Sequence, residues 1–79
     1  MMDRAEAIAS ARKLCRSLSG APLPLARAKE LFRTLARAQG WTVDEERDIT
    51  ALGVWLETHP SPSVLKDRCE RLLNTLGKA

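Results

Sequence analysis

The chain has no tyrosine, one phenylalanine, one histidine, two tryptophans and two cysteines in 79 residues. Each shortage excludes something. His59 has no second histidine at a metal spacing, and Cys15 and Cys69 lie far apart, so the usual set of about four zinc ligands cannot be assembled. Gly20, Gly40, Gly53 and Gly77 are isolated, which leaves no glycine-rich phosphate loop. Valine and isoleucine together number five, too few for a β-rich chain that also lacks tyrosine. No uncharged run approaches the ~20 residues needed to cross a bilayer. The opening "MMDRAEAIAS" carries an acid at position three and no apolar segment, so no signal peptide is expected. These absences predict a cytoplasmic chain that binds neither membrane, metal nor cofactor, with reduced thiols rather than a secreted disulfide framework.

Twelve leucines and eleven alanines dominate instead. They are strong helix formers and supply a core of small and medium aliphatics. A single domain spanning 1–79 is expected, burying roughly 60% of the surface its unfolded chain exposes. The net charge of +3 is unevenly spread. Residues 1–40 carry eight basic and three acidic side chains; residues 41–79 carry five and seven. The composition is compatible with a bacterial or phage source.

Caps and stripes place four helices, at roughly 3–19, 24–39, 43–58 and 62–76. Asp3 and Glu6 have capping-box spacing. Ala7, Ile8, Ala11, Leu14, Cys15 and Leu18 then share one side at about 100° per residue. Gly20 is the expected terminator, and Pro22 and Pro24 forbid continuation. Pro24 suits the first turn of the second helix. That helix turns Leu25, Ala28, Leu31, Phe32, Leu35 and Ala38 inward and ends before Gly40. Thr42 and Glu45 form another capping box. His59 before Pro60 is pushed out of the helical region, and Ser61 and Pro62 start the last helix. Its stripe is Leu65, Cys69, Leu72, Leu73 and Leu76, closed by Gly77. Short connections favour antiparallel neighbours, so the prediction is a compact all-α four-helix bundle. An orthogonal packing of the same helices, as in death-fold or helix-turn-helix domains, is the alternative.

Catalysis is not expected. Cys15 and Cys69 sit in leucine stripes, where a thiol behaves as a small hydrophobe. His59 belongs to a helix end. Asp44, Glu45, Glu46 and Asp48 occupy a first turn that the helix dipole explains. A helix-turn-helix reading of residues 30–52 would send that acidic "DEERD" end towards phosphates, against the electrostatics of nucleic-acid binding. Basic residues offer a different version. Arg12, Lys13 and Arg16 on the first helix, with Lys29, Arg33 and Arg37 on the second, are candidate phosphate contacts that read no bases. No aromatic residue interleaves them, so no stacking platform for single strands is indicated.

"LARAQGWTVDEERDITAL" resembles the helix–Gly–helix segment of tellurite-resistance TerB-like domains. The likeness covers under a quarter of the chain. Gln39 stands where that family has an aspartate, so the family's metal site is not implied here.

The third helix carries a surplus of apolar surface. Ile49 to Leu56 runs eight residues without a charge. Ile49, Leu52, Gly53 and Leu56 account for one core stripe, with Gly53 expected to admit a close helix crossing. Ala51, Val54 and Trp55 point about 100° or more away. Either this helix is the most enclosed, touching two neighbours, or its second face meets another protein. Trp41, just before it, either joins that interface or packs back on the preceding turn. The preferred reading is a non-catalytic helical protein acting by binding a protein partner, as a regulator, adaptor or inhibitor of a larger complex. Val54, Trp55, Ala51 and Trp41 are the candidate contacts, and a homodimer is compatible with them. The alternative is a sequence-tolerant nucleic-acid binder using the basic stripes.

Overall fold

A computed structural model describes residues 2–77, and within them four α-helices form the predicted bundle. They are α1 (Arg4–Arg16), α2 (Pro24–Arg37), α3 (Val43–Leu56) and α4 (Pro62–Leu76), with a 3-10 turn at Leu18–Gly20. No extended strand occurs among the described residues; Asp3 and Gln39 make one isolated parallel bridge. The radius of gyration is 11.5 Å.

Start signals act as the sequence implies at two helices. The Asp3 carboxylate accepts the Glu6 N–H at 2.8 Å. At α3 the capping box is complete: the Thr42 hydroxyl accepts the Glu45 N–H, and the Glu45 carboxylate accepts the Thr42 N–H. α4 has the predicted bounds. The other three helices end two or three residues early, for local reasons. The Ser17 hydroxyl donates to the Leu14 carbonyl at 2.9 Å, α1 stops, and the 3-10 turn carries Leu18 into the core. Ala38 is extended, and the Gln39 N–H donates to the Met2 carbonyl. The end of α3 tightens into i→i+3 bonds, with His59 at a φ of 55°. That left-handed conformation lets the chain leave the helix before Pro60.

The ends fix the topology. The Met2–Gln39 bond places the start of α1 beside the end of α2. Arg4 reaches both Glu45 in the first turn of α3 and the Leu76 carbonyl at the end of α4. Consecutive helices therefore run up, down, up and down. One pole holds the starts of α1 and α3; the other holds the starts of α2 and α4. α2 meets all three other helices, α4 included, whereas α1 and α3 do not pack on each other. So α2 and α4 each meet three helices and are the enclosed pair, while α3 packs on these two and reaches α1 through the Arg4–Glu45 ion pair.

The core is largely the predicted stripes. Ala7, Ala11, Cys15 and Leu18 meet Ala28, Leu31, Leu35 and Ala38, with Ile49, Leu52 and Leu56 and the whole α4 stripe closing over them. Ile8, Leu14, Leu25 and Phe32 pack at its edge. The expected close approach at Gly53 is with Phe32 of α2. A Cβ on Gly53 would stand 2.5 Å from the tip of that ring.

Candidate functional site

Arg4 organises the pole where α1 and α3 begin. Its guanidinium pairs with Glu45 at 2.5 Å and donates to the Leu76 carbonyl at 2.7 Å, while lying 5.7 Å from the centre of the Trp41 ring. Hydrogen bonding from Arg4, then from the Thr42 N–H, holds the Glu45 carboxyl below the usual carboxylate range. A depressed folded pKa adds stability that is present above the unfolded value, about 4.3, and lost as pH falls through the folded one. Glu45→Gln should therefore lower the melting temperature by a few degrees at pH 7. Melting curves recorded at successively lower pH should show this gap closing below about pH 4. A gap that stays constant down to pH 2 would mean that the pair adds nothing specific.

Trp41 belongs to this pole. It is half-buried, and its indole N–H donates to the Leu35 carbonyl at 2.8 Å. It packs back on the preceding turn, near neither Val54 nor Trp55, which occupy the last turn of α3 at the opposite pole. The four candidate contacts thus do not share one patch. Val54 is 65% exposed on the outer side of α3. Ala51 is exposed beside the seam between α3 and α4, which Asp48, Arg68 and Arg71 also line. Trp55 lies half-buried at the core's edge, with the Arg68 guanidinium 5.1 Å from the ring centre. The surplus apolar run is divided between a core margin and isolated exposed side chains.

The basic stripes separate as well. Arg12 and Arg16 line the seam between α1 and α4 with Glu70 and Asn74, and Arg12 donates to the Leu73 carbonyl at 3.3 Å. On the helical wheel this is the flank of α1 turned away from α2. Lys13 and Arg33 are exposed, and Arg37 is exposed with its Nε–H donating to the Arg33 carbonyl. Lys29 is partly buried near the other pole, lining a groove with Leu25 and Pro60. The six residues form no single basic face.

Both cysteines are buried and free. Burial, with Cys15 nearby, pushes the Cys69 thiol up to about 12. Burial raises Cys15 too, and its thiol faces the Lys66 carbonyl at 3.8 Å. Protonated, enclosed thiols are poor nucleophiles. His59 is exposed.

The sequence reading passed over the pole where α2 and α4 begin. Two Pro-x-Pro tripeptides, Pro22-Leu23-Pro24 and Pro60-Ser61-Pro62, converge there from separate loops. Leu23, Pro24, Leu25, Pro60, Pro62 and Leu65 frame an apolar groove of about 350 Å³. Leu23 is 71% exposed and Val64 43% exposed. Leu23 also occupies the N-cap position of α2, with no side-chain cap bond. Leucine is a poor cap; serine, aspartate or asparagine stabilises a helix start by about 1 kcal/mol over a non-capping side chain. At α4 the expected Ser61 cap is also unmade, its hydroxyl lying 3.0 Å from that of Ser63 instead. The signal in the sequence is a leucine held between prolines where a capping residue belongs.

Compared with known proteins, the chain matches no family model, no curated protein and no solved structure, so the TerB-like resemblance of residues 35–52 gains no support from relatives.

Proposed function

We propose that this chain acts without catalysis, by docking on another protein as a regulator, adaptor or inhibitor within a larger assembly. The observation that carries this reading is Leu23. A large apolar side chain stands in solvent at a position where a polar one would strengthen the fold, beside a groove stiffened by three prolines. Local rules broken without structural gain mark functional positions. A rigid apolar platform also loses little entropy when a partner settles on it. Nucleic-acid binding by the basic stripes is the weaker reading, because the two clusters face different ways and Arg12 is engaged with α4.

The test is retention of partners from the native host, with and without nuclease, on wild-type protein and on Leu23→Asp. Aspartate suits an N-cap, so this variant should melt at or above the wild-type temperature. The expected result is a protein partner retained after nuclease by the wild type and lost by the variant. Captured material that disappears with nuclease, and is held equally by both proteins, would move the function to the basic stripes.

A further inference from the structure

The groove at the proline pole is electrically one-sided. Lys29 lines it directly. Its continuation past Leu23 and Ala26 is lined by Arg27 and Arg33, with Glu30 the one carboxylate. Among the described residues, none of Arg27, Lys29 and Arg33 stands within ion-pair distance of an acid. The helix starts differ between the two poles. α2 and α4 both begin here, and neither has an acid in its first turn or a side-chain cap. α1 and α3, which begin at the opposite pole, have both. Each bare start presents roughly half a positive charge on unsatisfied N–H groups, and the ends of α1 and α3 at the same pole present about as much negative charge, so the side chains decide the sign. Asp3, Glu6, Asp44, Glu45, Glu46 and Asp48 thus stand towards the opposite pole, while the groove joins apolar surface to three cations outside any ion pair; Glu57, exposed at the end of α3, is a carboxylate on this side.

We propose that the groove takes an acidic amphipathic segment of a partner protein. The segment's aliphatic side chains would enter between Leu23, Leu25, Pro60 and Leu65, and its carboxylates would lie towards Lys29, Arg27 and Arg33. This rests on the protein-docking reading above and adds the chemistry of the partner. Apolar burial supplies affinity, while charge of one sign on the rim selects the partner and speeds its arrival. A basic segment meets like charge from three side chains. A second copy of this chain that brought its own proline pole to the groove would meet like charge, which opposes a symmetric pairing there.

Three synthetic peptides test this, identical at their apolar positions and carrying glutamate, serine or lysine at the polar ones. Each is titrated into 15N-labelled full-length protein while the amide signals of Leu23, Leu25, Ala26, Lys29, Val64 and Leu65 are followed. The glutamate peptide should shift these amides and bind about tenfold or more tightly than the lysine peptide, with affinity falling as salt rises. Lys29→Glu should reverse the order, and Leu23→Asp should abolish binding with the fold intact. Equal or tighter binding of the lysine or serine peptide at these amides overturns the acidic partner while leaving protein docking in place. Shifts confined to other surfaces, or none with any peptide, overturn the inference. Shifts that grow with protein concentration alone assign the groove to a second copy, which also overturns it. If Leu23-dependent retention of a protein survives nuclease but no glutamate preference appears, only this inference falls.

Discussion

Replacing Gly53 with alanine is expected to destabilise the protein, although alanine is the better helix former by about 1 kcal/mol. The added Cβ would stand 2.5 Å from Cζ and 2.6 Å from Cε1 of Phe32. Neither distance is tolerable, so ring or helix must move. The ring packs at the edge of the core, so moving it gives up part of that packing. Overpacking of this kind costs about 1–3 kcal/mol, which outweighs the propensity gain and leaves a net loss of about 1 kcal/mol. For a domain of this size that lowers the melting temperature by roughly 4–8 °C. Gly53→Leu, with three further carbon atoms in the same space, should cost 3 kcal/mol or about that. This is a large share of the roughly 4–12 kcal/mol available to 79 residues. The diagnostic arm is a double-mutant cycle with Phe32→Leu, which removes the ring tip. In that background Gly53→Ala should become neutral or stabilising. If its effect is the same in both backgrounds, the Phe32 contact is not what requires glycine.

The helices and their inward faces were legible because caps and 3.6-residue stripes are local. Thr42 and Glu45 sit three apart, and Leu65, Cys69, Leu72 and Leu76 step along one side. Each pattern can be read within a few turns. Where the helices stop was less legible, since distant partners decide it. Nothing near Ala38 reveals that Gln39 will bond to Met2, which shortens α2. Arg4 is the clearest case. In the sequence it is one basic residue near the beginning, yet it holds Glu45 and the end of α4 together across 41 and 72 residues. The proline pole was hidden for the same reason. Each Pro-x-Pro reads as a helix breaker, and only the up-down-up-down order brings the first and third loops to one end. Of the two explanations for the apolar run, α3 does have the two neighbours expected but is not the most enclosed helix, because counting apolar residues does not tell how many neighbours the other helices meet. The run from Ile49 to Leu56 is apolar, but α2 and α4 each pack on three helices and α3 on two.

Trp55→Ser should separate stability from binding at the residue that made α3 look like an interface. Full burial would make loss of a large aromatic worth about 3–5 kcal/mol. Trp55 is half-buried, so its apolar contribution is nearer half of that. The Arg68 guanidinium 5.1 Å from the ring centre adds about 0.5–1 kcal/mol, as expected for an exposed cation–π pair. A loss of about 2–3 kcal/mol follows, or roughly 8–24 °C in melting temperature, with the chain still folded at 25 °C. Val54→Ser, on the open outer side of α3, should change stability by no more than about 0.5 kcal/mol. Partner retention measured well below the lowered melt should fall far less with Trp55→Ser than with Leu23→Asp. The indole braces α4 through Arg68, whereas the leucine stands free between its prolines. The opposite pattern, a Trp55→Ser protein that melts normally but releases its partner, would return the interface to α3. It would also leave the proline pole without the role proposed for it. Both measurements come from the same three purified variants, so the ranking of Leu23, Val54 and Trp55 by melting and by retention decides which end of the molecule makes the contact.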